Sequence, residues 1–161
     1  MILRSLTVEG WRCLVGPVTV GPFDEGINVL HAPNASGKST LFEALIRGLL
    51  DSHRVTGRDI EAVRPWGRSL SPRVSVEFAH DGSEYRLVKR FLERASSELY
   101  RLEEGKFVRL AEADAADARL RAILSSNPPG RGLSRPSNWG LAQILWAPQG
   151  HLALPRLSGD L

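Results

Sequence analysis

Residues 2–9 (ILRSLTVE) open the chain with an alternating pattern rich in branched apolar residues, which predicts a strand. Gly10-Trp11-Arg12 interrupts it, and Pro17-Val18-Thr19-Val20 predicts a second short strand ahead of Gly21-Pro22. Gly26-Ile27-Asn28-Val29-Leu30 reads as a short buried strand. Beyond it, Leu41, Phe42, Leu45, Leu49 and Leu50 recur at helical spacing and predict a helix over 38–51. The stretch 52–72 reads as irregular, broken by Gly57, Pro65, Gly67 and Pro72. Val74, Val76 and Phe78 then alternate with Ser75, Glu77 and Ala79, Asp81-Gly82 turns the chain, and Tyr85–Val88 returns it as a hairpin. A second hairpin is expected around Glu104-Gly105, joining 98–102 to 106–110. The alanine-rich 111–124 predicts a helix by propensity, 125–138 a loop, and 139–146 a short helix ending at Pro148-Gln149-Gly150.

Composition narrows the setting. With 161 residues, 42% of them hydrophobic, and a net charge of +3, the chain has the apolar content for a packed core and none of the signs of disorder. The basic residues are 18 Arg and 3 Lys, a skew compatible with a polyanionic partner but not demanding one. The single cysteine, Cys13, excludes an internal disulfide, fits a reducing compartment and reads as a small core residue. No apolar run reaches the roughly 20 residues of a membrane helix. The expectation is a cytoplasmic protein, nucleoid association included.

The chemistry concentrates in Ala32-Pro33-Asn34-Ala35-Ser36-Gly37-Lys38-Ser39-Thr40, a near match to the phosphate-binding loop G-x-x-x-x-G-K-[ST] in its proper setting, between a strand and a helix. Backbone N–H groups of such a loop converge on one hollow at the positive end of the helix, where a polyphosphate satisfies them. Lys38 would reach the β- and γ-phosphates of ATP, Ser39 would offer its hydroxyl to Mg²⁺, and Thr40 would bond near the α-phosphate. Ala32 stands where the motif has its first glycine, and is harmless only at negative φ; Ala35 also lacks a glycine's freedom.

The opening LTVEGWRCLVGPVTV…GINVLHAPNASGKSTLFEAL resembles the N-terminal lobes of the SMC, RecF and SbcC group of ABC-type ATPases, and ILWAPQG at 144–150 resembles their Q-loop. The resemblance is close over 1–50 and general over the hairpins. It implies an α/β P-loop NTPase half-head of the ABC type: a mixed sheet with antiparallel β hairpins and a P-loop helix, an antiparallel arm over about 70–110, and a helical segment over 111–150 ending in the Q-loop. By position it implies that Arg12 lies over the nucleotide, that Asn34 approaches the γ-phosphate, that Ala35, Ser36 and Gly37 complete the loop, and that Gln149 ligates Mg²⁺ with Ser39 and senses the γ-phosphate. Lys38 and Gln149 are the catalytic candidates.

No apolar run followed by Asp-Glu is present, so Walker B and its catalytic base are missing, as are the signature and the switch histidine. In this group those parts lie on a second lobe beyond a coiled coil. The resemblance therefore implies ATP hydrolysis only with a complementary C-terminal lobe, ATP-driven engagement with a second head, double-stranded DNA as ligand, and a nuclease or accessory subunit as further partner. The pathway expected is repair, chromosome maintenance or phage defence. Two alternatives stay open: a nucleotide-gated clamp with negligible turnover, and an unrelated small P-loop enzyme such as a kinase. Among weaker candidates, Trp66 is expected to pack beneath an arginine-rich loop rather than stack on a base. Arg54, Arg58, Arg64, Arg68 and Arg73 form one candidate phosphate-contacting ridge, and Arg86, Lys89, Arg90 and Arg94 another. His31, His53, His80 and His151 lack metal-ligand spacing.

Overall fold

The computed structural model describes residues 1–124. Among them the elements run β1 (Ile2–Glu9), β2 (Val18–Val20), α1 (Lys38–Leu50), α2 (Arg58–Glu61), β3 (Arg73–His80), β4 (Ser83–Arg90), β5 (Ser96–Glu103), β6 (Lys106–Glu112) and α3 (Ala113–Ile123). The strands form one sheet in the order β2-β1-β3-β4-β5-β6, with every described pair antiparallel. Both hairpins close through two residues at positive φ, Asp81-Gly82 and Glu104-Gly105. That backbone matches the right-handed twist of the strands it joins.

Register explains the layering. Val20, Leu6, Val76, Leu87 and Leu99 oppose one another across five strands, and Val18, Val8, Val74, Lys89 and Ser97 form the neighbouring row. Side chains alternate faces along a strand, so both rows point to the same side. There α1 and α3 pack on the sheet. Leu41, Ala44, Leu49 and Leu50 of α1 and Ala116 and Leu120 of α3 complete the buried cluster with Phe91, Ile60, Val63 and Trp11. Gly48 lets α1 approach closely, since a Cβ there would stand 2.9 Å from a methyl of Val74. The other face is polar: Glu77 pairs with Arg86 (2.6 Å), whose guanidinium also lies 3.8 Å from the centre of the Phe107 ring.

One row carries a charge inward. Lys89 is 1% exposed, so its place on a DNA-facing ridge is corrected: it shares a strand face with Leu87, whereas Arg86 and Arg90 alternate to the opposite one. Its ammonium donates to the backbone carbonyl of Asp51 (2.7 Å), at the negative end of α1, and pairs with Asp117 of α3 (3.0 Å). Asp117 also accepts from the His53 amide (3.0 Å) and lies 2.7 Å from His53 Nδ1. His53, read as scattered in sequence, is thus a buried tie between the end of α1 and α3.

Two further expectations change. Gly26–Leu30 joins no described ladder, and Ile27 and Val29 are 97% and 83% exposed. The segment has the alternation of a buried strand, but a strand needs neighbours for its amides and its apolar side chains, and none of the described residues supplies them. Within the stretch expected to be irregular, Arg58–Glu61 forms the short α2, which seats Ile60 in the core. The segments 125–138 and 139–146 and Gln149, for which a loop, a short helix and a Q-loop are expected, lie outside the described residues.

The acid limb of stability follows from Asp117. Burial pushes its carboxyl up, but the Lys89 charge and the His53 hydrogen bonds outweigh burial and hold it at about 2, below its ordinary 3.8. A carboxyl depressed by folding contributes stability that is complete above the unfolded value and is lost as pH falls through the folded one. The window is therefore pH 3.8 down to about 2, and the contribution is about 2 kcal/mol. Urea denaturation between pH 6 and pH 2 should show this loss, and Asp117→Asn should flatten it while lowering stability at neutral pH, where Lys89 is left without its partner. An acid limb of unchanged slope in Asp117→Asn would contradict the assignment.

Candidate functional site

The loop expected to hold phosphate leads from the exposed Ile27–Leu30 segment into α1. Pro33 and Ser36 close a turn, with the Ser36 amide donating to the Pro33 carbonyl (3.3 Å), and the first intrahelical bond runs from Leu41 N–H to Gly37 C=O (2.9 Å). Helix starts leave their first N–H groups without intrahelical partners. Here no side chain caps that end and no acidic residue lies in the first turn, so nothing in the helix's own sequence answers the positive end of its dipole. Instead the helix begins with a cation, Lys38, which raises the local potential further. An anion is the species this arrangement suits.

Gly37 makes the geometry available. It adopts φ 93°, and a Cβ there would lie 3.1 Å from Leu14 Cδ2 and 3.3 Å from Cys13 Sγ. The loop is therefore wedged against the Trp11–Leu14 turn, which an antiparallel bridge between those two residues closes. Of the two alanines that replace glycine freedom, Ala32 stays outside the left-handed region, so its Cβ is accommodated, whereas Ala35 is at φ 63°. An alanine held there costs about 1 kcal/mol. The loop keeps its shape despite that cost.

Lys38 Nζ donates to the carbonyl oxygens of Ala32 and Pro33, both at 2.7 Å. The ammonium thus folds back across the loop that contains it. Asn34, Ala35, Ser36 and Ser39 are exposed around it, and Thr40 is half-buried. Among the described residues no cluster of three or more His, Cys, Asp or Glu could hold a metal ion. Mg²⁺ bound with a nucleotide needs no such cluster, because phosphate oxygens and water fill most of its shell; the exposed Ser39 hydroxyl at the helix start is a fitting protein ligand.

Arg12 enters from the side. It is at φ 48°, its amide donates to the Val63 carbonyl (2.6 Å), and its guanidinium forms a fork with Glu43 of α1 through Nε (2.6 Å) and Nη2 (3.0 Å). Burial pushes the Glu43 carboxyl up, but the Arg12 hydrogen bond and the Arg12 and Arg47 charges outweigh it and hold the carboxyl below its usual range. Glu43 went unnoticed in the sequence, although its place one turn into the helix was the available signal. Cys13 is corrected from core residue to exposed thiol, with Sγ 3.8 Å from Thr40 Oγ1. Trp66 is corrected too: it is 100% exposed, on the rim of a concavity shared with Arg12, Cys13, Arg64 and Arg68. The Arg54–Arg73 ridge is partly neutralised, Arg54 pairing with Asp114 (3.2 Å) and Arg64 with Glu93 (3.0 Å).

A family model described as an AAA domain matches residues 5–128, which span the loop, the Trp11–Leu14 turn and all of the described sheet but the first three residues of β1. The chain is similar to two proteins named DNA double-strand break repair Rad50 ATPase. The one from Sulfolobus acidocaldarius is 26% identical over 77% of this chain and 14% of its own length. The one from Pyrococcus abyssi is 34% identical over 68% of this chain and 13% of its own length. The chain thus spans about a seventh of these relatives. Among solved structures, an SMC head domain from Thermotoga maritima aligns over 68% of this chain and 39% of its own, at 23% identity and a TM-score of 0.43. A phosphate-loop signature seated on an uncapped helix, inside a family match covering most of the sequence, leads to one assignment: the chain belongs to the AAA domain family and is similar over that stretch to Rad50 ATPases.

Proposed function

We propose that this chain binds MgATP at Asn34–Thr40 and serves as the nucleotide-binding lobe of an ATPase that engages DNA in an ATP-dependent way, in break repair or chromosome maintenance. The observation that carries the reading is the bare positive end of α1, approached by Lys38 from within the same loop. Triphosphate oxygens would replace the Ala32 and Pro33 carbonyls as acceptors for the Lys38 ammonium, an exchange of neutral for charge-assisted bonds. Ser39 would hold Mg²⁺, with Gln149 as its second protein ligand, and Thr40 would bond the α-phosphate side. Asn34 would approach the γ-phosphate, and Arg12 would reach the nucleotide from the Trp11–Leu14 turn.

Hydrolysis would need a complementary lobe that brings a catalytic base and a signature motif. The exposed Ile27 and Val29 support that partner, as does an apolar groove of about 450 Å³ between β1, Phe23–Leu30 and α1, lined by Leu3, Val20, Phe23, Leu41 and Leu45. A strand laid beside Gly26–Leu30 would satisfy its backbone and cover its side chains. A second head would close on the nucleotide, which acts on that equilibrium only through tighter binding to the closed pair. DNA as ligand is supported by the names of the Rad50 relatives. On the outer sheet face the ion pairs of Arg86 with Glu77 and Arg109 with Glu112 reduce the free positive charge, so contact there would fall to Arg73, Arg90 and Arg94, through backbone phosphates and with a steep salt dependence. A nuclease or accessory subunit completes the set of proposed partners. No helix among the described residues is long and apolar enough to cross a membrane, which agrees with a cytoplasmic or nucleoid location.

Isothermal titration with MgATP should give saturable binding that Lys38→Ala abolishes; undiminished affinity in that variant would refute the phosphate assignment. The loop's two small residues should behave oppositely. Gly37→Ala drives a Cβ into Leu14 and Cys13 at a positive φ and should weaken MgATP binding at least about tenfold. Ala35→Gly keeps the backbone geometry and should leave affinity within about threefold. Equal effects of the two changes would mean that the loop geometry described here is not the one that binds.

A further inference from the structure

Glu43 and Arg47 stand four residues apart on one face of α1, and Asp51, the residue that caps its carboxyl end, follows four residues after Arg47. Glu43 lies 3.5 Å from Arg47, and Arg47 lies 3.1 Å from Asp51. At the amino end this row continues into Arg12 through the fork on Glu43. At the carboxyl end it continues through the Asp51 carbonyl into Lys89 and from there into Asp117 of α3. A continuous series of ion pairs, joined by one hydrogen bond to the Asp51 backbone carbonyl, therefore runs along α1 from the Trp11–Leu14 turn beside the phosphate loop to α3.

The geometry at Arg12 gives this row a direction. A guanidinium has five N–H donors. Glu43 engages the Nε–Nη2 edge, and among the described residues the Nη1–Nη2 end has no further partner and offers a second fork, on a side chain that is half exposed. The carboxylate thus fixes the plane of the guanidinium without consuming the edge that could take a phosphate. The strained φ of Arg12 and its amide bond to Val63 hold the backbone in the same pose. Arg47 is nearly buried between the two acids, so a displacement of Glu43 alters a contact Arg47 cannot replace with water. Asp51, also buried, has its carboxyl raised by burial against the opposing charges of Arg47 and Lys89, which makes it sensitive to any change in Arg47.

We propose that Glu43 is a positioning residue for Arg12, and that Glu43, Arg47 and Asp51 form a relay along α1 by which engagement of Arg12 with the nucleotide changes the docking of α3 through Lys89 and Asp117. The inference rests on the reading of Arg12 as a nucleotide contact. It adds the residue that aims the guanidinium and the route by which occupancy reaches the helix leading out of the described fold. Physical continuity alone does not establish coupling; non-additivity does.

The test uses the full chain and the non-hydrolysable probe MgAMP-PNP, with affinity read by titration and α3 docking read by amide hydrogen exchange over 113–123. In the unaltered chain the probe should slow exchange in α3. Glu43→Gln should weaken the probe about tenfold, the effect of one charge-assisted contact, and should abolish the α3 response. Arg12→Ala combined with Glu43→Gln should bind no worse than Arg12→Ala alone. Arg47→Gln, one link further from the loop, should leave affinity within about threefold and still abolish the α3 response, which a purely local role of Glu43 would not produce. Additive losses in the double variant, or an α3 response that survives Arg47→Gln, would overturn the proposal. Lys38→Ala separates this failure from that of the underlying reading: if the probe still binds without Lys38, the nucleotide site itself is wrongly placed; if binding depends on Lys38 but not on Arg12 or Glu43, only the relay falls.

Discussion

The amino end of α1 has backbone N–H groups that no side chain caps, no acidic residue in its first turn, and a lysine as its first residue. An ordinary surface helix would carry Ser, Asp or Asn at this cap and a carboxylate nearby, each contributing about 1 kcal/mol. Leaving that end bare is unfavourable in isolation, and the surrounding structure is arranged to hold it so. Gly37 wedges the loop against Leu14 and Cys13, Gly48 seats the helix on Val74, and Lys89 answers the dipole at the opposite end. The helix is thus fixed at its flank and its carboxyl end, and open to an anion at its amino end.

The two ends of α1 also explain where charge is buried in this fold. Lys89 and Asp117 are buried against a sheet face made, apart from Ser97, of Val, Leu and Phe. Burying such a pair gains little over an apolar pair of the same volume, so stability alone does not account for it. What the pair does provide is a fixed geometry between the end of α1 and α3, with His53 bonded to the same carboxylate. The outer face of the sheet, by contrast, satisfies its own charges through cross-strand pairs such as Glu77 with Arg86.

The hairpins were legible from sequence because Asp81-Gly82 is a pair that readily adopts the positive-φ turn, Gly105 marks the second turn, and β3 alternates cleanly. The phosphate loop was legible from Gly37-Lys38-Ser39-Thr40 ahead of a helical repeat. Charge alone puts Lys89 on the surface, whereas its strand parity with Leu87 turns it into the core. The size of an indole favours burial, whereas Trp66 sits between Pro65 and Gly67 in an exposed turn closed by the Arg68 amide on the Pro65 carbonyl. Gly26–Leu30 shows a different limit: periodicity states that a segment is suited to burial, not what buries it. Glu43 and Asp117 were invisible as partners because their contacts span 31 and 64 residues of chain, beyond the reach of any local pattern.

The central claim is that the amides of Asn34–Thr40 are the groups that grip a triphosphate. Backbone amide resonances followed by nuclear magnetic resonance during addition of MgATP test it most directly. The account predicts large downfield shifts confined to the loop and the first turn of α1, with Thr7, Ser75 and Val88 on the outer sheet face unmoved. Perturbations centred on that outer face, with the Asn34–Thr40 amides unchanged at saturation, would contradict it.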